Sequence, residues 1–174
     1  MMINELNQLI PADFAPGSRV WIYQSSRPFG EHEIKEIDEQ LFQFYSQWQT
    51  HGDPVKGWAK VVFRQFIVVI ADETGFGVSG CSTDSMVRII KSIERQYSVN
   101  MFDRLVITFL IKDKAEMLPL NQVQYAIDKG YIDANTPLFN NTIGTKQELL
   151  ENWLVPIKDS WLAQRVTFNN AIIS

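Results

Sequence analysis

Phe66-Ile67-Val68-Val69-Ile70 is an unbroken apolar run. A strand with one wet face alternates apolar and polar residues, whereas a strand covered on both faces reads as continuously apolar. The run therefore predicts a central strand with a layer packed on each side. The longer stretch from residue 58 to 72, interrupted by Arg64-Gln65, reads as one long strand or two paired ones. Whatever else the chain forms must supply the cover.

Amphipathic helices supply it. Ile34, Ile37, Leu41, Phe44, Tyr45 and Trp48 fall on one face of a helix over about 31–49, with Glu31, Glu33, Glu36 and Glu39 mostly off it as a solvated charged face. With Gly30 as N-cap, Phe29 and Ile34 stand at the two positions of a hydrophobic staple. His51-Gly52-Asp53-Pro54 then breaks the helix. Met86, Ile89, Ile90, Ile93 and Tyr97 predict a second helix over about 83–97, Pro119 and Gly130 bracket a third over about 119–129, and 146–153 reads as the last. Residues 1–10 give a short helix ended by Pro11. Strands are expected at 19–24 and 105–111, a short edge strand at 137–143, and a final strand or irregular segment at 166–168. The fold class is α/β or α+β: a mixed sheet of three to five strands with helices packed on it. With 174 residues, no linker and five Trp spread end to end, one globular domain over 1–174 is the simplest organisation.

Composition removes several classes of function. A net charge of −4 argues against nucleic acid, which rewards a basic face. No apolar run approaches the ~20 residues that span a bilayer, and the first residues lack a basic segment followed by an apolar one. The single Cys cannot form an intrachain disulfide. A cytoplasmic protein without membrane insertion is expected. His32 and His51 have no metal-site spacing, and His51-Gly52-Asp53 reads as a solvated turn, so no metal and no cofactor are expected.

The segment 72–85 joins the apolar strand to a helix and carries three Gly and several hydroxyls. Gly75, Gly77 and Gly80 match G-x-G-x-x-G, but Asp72-Glu73-Thr74 separate the first Gly from the strand. Gly75, Gly80 and Ser82 match a Walker A frame in which Cys81 replaces the obligatory Lys, so the phosphates would lose their fixed positive charge. Cys81 beside a helix N-terminus is a candidate nucleophile, opposed by Asp84 and without an obvious partner in His32 or His51; the competing reading makes this lone Cys a small buried hydrophobe. Gly80, Ser82 and Asp84, with Arg27 facing them if its strand shares the same rim of the sheet, are the candidate anion-binding residues. The competing reading makes Ser82 or Thr83 the helix cap, puts Asp84 in the first turn, and pairs Arg27 with Asp72, Glu73 or Asp84. Trp153 and Trp161 read as core or interface anchors.

Arg19-Val20-Trp21-Ile22-Tyr23-Gln24-Ser25, Gly80-Cys81-Ser82-x-Asp84, Phe139-Asn140-Asn141 and Ser160-Trp161 resemble, over nearly the whole chain, a family of short bacterial proteins, mostly from Bacteroidota, often labelled "ABC transporter ATPase". In that family the GCS-x-D stretch recurs without the preceding glycines. The resemblance thus implies that both glycine templates are accidental, and the missing Walker lysine speaks against a genuine ABC ATPase. It implies no particular activity. Residues 121–139 also resemble the helix, glycine and strand end of GYF-like peptide-binding modules. The sequence is read as a non-catalytic binding or interaction protein, holding a protein or a small anionic ligand; a homodimer is compatible with this. The alternative is a small enzyme or anion-binding protein using the Gly80–Asp84 turn.

Overall fold

The computed structural model describes residues 3–75 and 77–169. The described chain gathers into two compact units, one formed by the segment through Asp103 together with Asn141–Glu151, the other by Arg104–Asn140 and the chain from Asn152 onward. The fold is α+β, with helices on antiparallel sheets.

The first unit begins with α1 (Ile3–Leu9), the described part of the helix expected over 1–10, and then β1 (Arg19–Gln24). Next come α2 (Glu31–Ser46), a ribbon of β2 (Gln49–Thr50) and β3 (Asp53–Pro54), the long strands β4 (Lys56–Val62) and β5 (Phe66–Asp72), and α3 (Gly80–Tyr97). The apolar stretch is therefore two paired strands. The turn between them puts Phe63 and Arg64 at left-handed φ of 53° and 61°. The ribbon turns likewise, with His51 at 50° and Gly52 at 86°, the geometry of a type I′ hairpin.

The sheet order is β1-β5-β4, and all of β5 is buried, as its sequence requires. β1 and β4 run one way and β5 the other, so strands of both directions are present, yet each ladder is antiparallel. The strand–helix–strand order had suggested parallel neighbours in a mixed sheet. The helical crossover from β1 to β4 does keep those two strands parallel, but the β4–β5 hairpin returns its second strand into the gap between them.

Odd-numbered residues of this sheet (Trp21, Tyr23, Ala59, Val61, Ile67, Val69, Ala71) share one face with Ile37 and Leu41 of α2 and Met86, Ile90 and Ile93 of α3 in a single core. Gly57 belongs to this face because a Cβ there would stand 2.7 Å from the Trp48 ring. The even face buries Val20, Trp58, Val62, Phe66, Val68 and Ile70. The chain before β1 is tied to this sheet by side chains. Asp72 Oδ2 accepts from Ala15 N at 3.0 Å, and Lys56 Nζ donates to Asp13 O and lies 4.9 Å from the Phe14 ring centre. Lys146, buried at the start of α5 (Lys146–Asn152), donates from Nζ to Pro11 O and Phe14 O at 3.0 and 2.8 Å. Gly144 O accepts from Val20 N on the outer edge of β1.

The second unit is a four-stranded antiparallel sheet, ordered β7-β6-β8-β9, of β6 (Val106–Ile111), β7 (Lys114–Pro119), β8 (Pro137–Phe139) and β9 (Leu154–Pro156). The strand expected over 137–143 is shorter and interior, because β9 pairs on its far side. The helix expected over 119–129 is a 3-10 turn at Leu120–Gln122 followed by α4 (Val123–Asp128). Gly130, at φ 75°, ends it. Val123, Ala126 and Ile132 pack with Ile107, Phe109 and Leu138 in this unit's own core. Residues 166–168 have no regular structure. No helix among the described residues is long and apolar enough to cross a membrane.

Candidate functional site

The connection from β5 to α3 is closed by its own side chains. Asp72 ends the central strand buried, and its Oδ1 accepts from Thr74 N at 3.0 Å and Thr74 Oγ1 at 2.7 Å, an aspartate turn. With Ala15 N on the other oxygen, these bonds hold the carboxyl down at about 2; the Ala15 amide contributes most and Lys56, 3.8 Å away, least. Glu73 folds back so that Oε1 accepts from Val78 N at 2.9 Å and from Arg19 NH1 at 3.3 Å. A carboxylate of the chain itself thus takes the amide of Val78, just ahead of the helix start.

The cap differs from expectation. Ser79, not Ser82 or Thr83, is the N-cap, its side chain accepting from Ser82 N. The helix accordingly starts three residues earlier than its apolar stripe suggests, and Asp84 lies beyond the first turn. Ser82 is buried, donates to Gln49 O at 2.7 Å and shares hydrogen bonds with Thr50 Oγ1 and Ser79 Oγ. Its carbonyl accepts from Trp48 Nε1 at 3.0 Å. Thr83 Oγ1 donates to Gly80 O, and Ser85 Oγ to Cys81 O. Of the hydroxyls that looked available to a ligand, Ser82 holds the ribbon against the helix start, while Thr83 and Ser85 bond carbonyls of their own helix.

Gly80, Cys81 and Asp84 are exposed. Among the described residues no hydrogen bond reaches the Cys81 thiol, and the His32 imidazole instead meets Glu36 at 3.2 Å. Gly75, Gly77 and Gly80 each have open space where a Cβ would stand, and none has positive φ, so no tight glycine cradle forms.

Arg27 is not brought to this turn. Because β1 runs antiparallel to β5, the end of β1 lies beside Phe66 and its start beside Ala71. The cation on the rim of the 72–85 connection is therefore Arg19. Arg27 sits at the opposite end of α3, bonded to Tyr97 O at 2.9 Å, and an 18-residue helix is about 25 Å long. There it grips both oxygens of Glu33 at 2.9 Å, while Glu33 Oε2 accepts from Gly30 N at the start of α2. The guanidinium, then the Gly30 amide, hold Glu33 down at about 2. Tyr97 OH donates to Glu36 at 2.8 Å; burial first, then Glu36, push the phenol up to about 12. This cluster joins α2 to α3 and turns both terminal nitrogens of Arg27 onto groups of the chain itself.

The outer side of α2 carries a shallow, open groove between side chains of this one helix, lined by Ile34 and Phe42 together with Glu31, Lys35, Asp38 and Glu39. A smaller cleft of about 500 Å³ lies beside it, reaching His32 and Glu36. Phe42 is 59% exposed, edge-on to Tyr45 at 5.4 Å. Asp38 accepts from Val61 N at 2.9 Å, and burial raises its pKa. α2 carries Glu31, Glu33, Glu36, Asp38 and Glu39 against Lys35, a net −4 with neutral His32 that equals the net charge of the whole chain. Reading these acids only as a solvated face overlooks Phe42. The signal was present: Phe42 lies off the apolar stripe of its own helix.

In the second unit Trp153 is buried against Phe139 (5.1 Å between centres), whereas Trp161 is 40% exposed with the Arg165 guanidinium 5.6 Å from its ring. The 121–139 segment folds as α4, a left-handed Gly130 and β8. Compared with family models, curated proteins and solved structures, the chain matches none.

Proposed function

We propose that the chain is a non-catalytic cytoplasmic binding protein that holds a partner protein on the outer side of α2. The observation that carries this reading is an aromatic ring, Phe42, left 59% exposed beside Ile34 on the open outer side of α2. An exposed aromatic anchor rimmed by polar groups is the usual anatomy of a docking surface. The internal use of Ser79, Ser82, Thr83 and Glu73 supports it from the other side, since it leaves the 72–85 connection a structural one.

The test is photo-crosslinking in the native host from benzoylphenylalanine placed at position 42, with position 8, on exposed Gln8 of α1, as control. One discrete adduct from position 42 and none from position 8 is the expected result. Equal adducts from both positions, or none from position 42, would refute the reading. The alternative, a small enzyme or anion-binding protein built on Gly80–Asp84 with Cys81 as nucleophile, draws support from the exposure of that thiol at the first turn of α3. Cys81→Ser separates the two: a binding protein keeps its position-42 adduct and its biological activity, while an enzyme loses the latter.

A further inference from the structure

Resting on that reading, we infer that the segment held by α2 is a basic amphipathic helix of a partner protein. Three features of the surface select this occupant. The first is charge. α2 carries a net −4 and the rest of the chain sums to zero; Arg27 offsets Glu33, so Glu31, Glu36, Asp38 and Glu39 against Lys35 leave −3 on the helix. Glu31 and Glu39 line the groove, and Glu36 lines the cleft beside it. Basic side chains laid along this surface would meet Glu31, Glu36 and Glu39, with Lys35 the one like charge among them, and this excess of opposite charge favours encounter and fixes register.

The second is spacing. Ile34 and Phe42 are the apolar residues of the groove and stand eight positions apart, about 12 Å along the helix axis. Two apolar residues seven or eight positions apart on a second helix span the same distance and lie on one of its faces, as when one helix packs lengthwise on another.

The third excludes the nearest rival, a second copy of this chain. A two-fold pairing of α2 with α2 would bring two helices of net −4 together, with the acids at 38 and 39 near the axis of an antiparallel pair. Like charges so placed oppose association.

The experiment is an NMR titration of the isotopically labelled full chain with three synthetic helical peptides of about sixteen residues. All carry leucines eight positions apart. Their flanking positions are lysine in the first, glutamine in the second and glutamate in the third. The expected result is that the lysine peptide shifts the amides of α2. Its affinity should fall about tenfold in Glu31→Lys/Glu39→Lys, and by a similar factor between low and high salt. Phe42→Ser, a change at an exposed ring, should weaken it further while leaving the free spectrum dispersed. If the glutamine or glutamate peptide binds as well as the lysine peptide, the charge selection is overturned while the docking reading stands. If no peptide moves α2, the helical partner is overturned, and the position-42 crosslink decides the docking reading independently. If α2 shifts with protein concentration alone, the occupant is a second copy and the inference is overturned.

Discussion

Asp72→Asn isolates the charge that organises the β5–α3 connection. The carboxylate accepts three hydrogen bonds, two on Oδ1 from Thr74 and one on Oδ2 from Ala15 N, and is 5% exposed. It is held at about 2 in the folded protein, against ~3.9 for a free aspartate. That difference corresponds to about 2–3 kcal/mol of folding stability at neutral pH. Because the folded value is the lower one, the contribution is complete above about pH 4 and is lost as pH falls toward 2. Asparagine keeps one oxygen but turns an NH₂ toward either Ala15 N–H or Thr74, setting donor against donor. We expect Asp72→Asn to unfold about 2–4 kcal/mol more easily at pH 7, a loss the ~5–15 kcal/mol of an ordinary domain tolerates. Urea unfolding followed by tryptophan fluorescence at pH 7, 5, 3 and 2 reads the gap between wild type and variant, with m-values expected to match. The gap should be constant from pH 7 to 5 and narrow toward pH 2. Glu33 has its own low value, but it is present in both proteins and cancels in the difference. A gap that does not change with pH, or one below about 0.5 kcal/mol at pH 7, would refute the charge-based account.

Three further outcomes follow from packing and backbone geometry. Gly57→Ala drives a methyl to 2.7 Å from the buried Trp48 ring, itself fixed by its bond to Ser82 O; we expect a loss of about 1–3 kcal/mol in denaturant unfolding and a shifted Trp48 indole N–H resonance. Lys146→Met strands the Pro11 and Phe14 carbonyls; a loss of about 2 kcal/mol should come with faster hydrogen exchange at Ala15, whereas unchanged exchange there would count against the clip. Asp113→Gly relieves a left-handed residue at φ 63° in the two-residue β6–β7 turn; a gain of about 0.5–1 kcal/mol should raise the melting temperature by a few degrees, and a lowered one would count against that turn geometry.

The elements legible in the sequence are those whose burial is uniform. β5 is buried at every position and α2 carries a long one-sided stripe, so both stand out. β7 does not: Lys114 to Leu118 lack the β-branched and aromatic residues that mark a strand, and the Lys112-Asp113 turn before them lacks the Asn or Gly that signals a hairpin. β9 is three residues ending in Pro156, shorter than any periodicity test resolves. In the candidate site, the connection at 72–85 was readable as a strand-to-helix junction, and two of its devices have local signatures: Asp72-x-Thr74 for the turn and Ser79-x-x-Ser82 for the cap. The approach of Arg19 to Glu73 and the retreat of Arg27 depend on strand direction, a non-local property.

The two units are interleaved along the chain, and this sets a schedule for biosynthesis. Lys146 leaves the ribosome 132 residues after Phe14, whose carbonyl it will hold. At about 5–20 residues per second that interval is on the order of 10 s. Throughout it the segment before β1 lacks its ammonium clip, and the outer edge of β1, which Gly144 later occupies at Val20, is an open strand edge. Open edges recruit other strands. The nascent protein is therefore most exposed to mispairing and proteolysis while residues 104–140 are being made, and stability measured on the finished molecule overstates what protects it then.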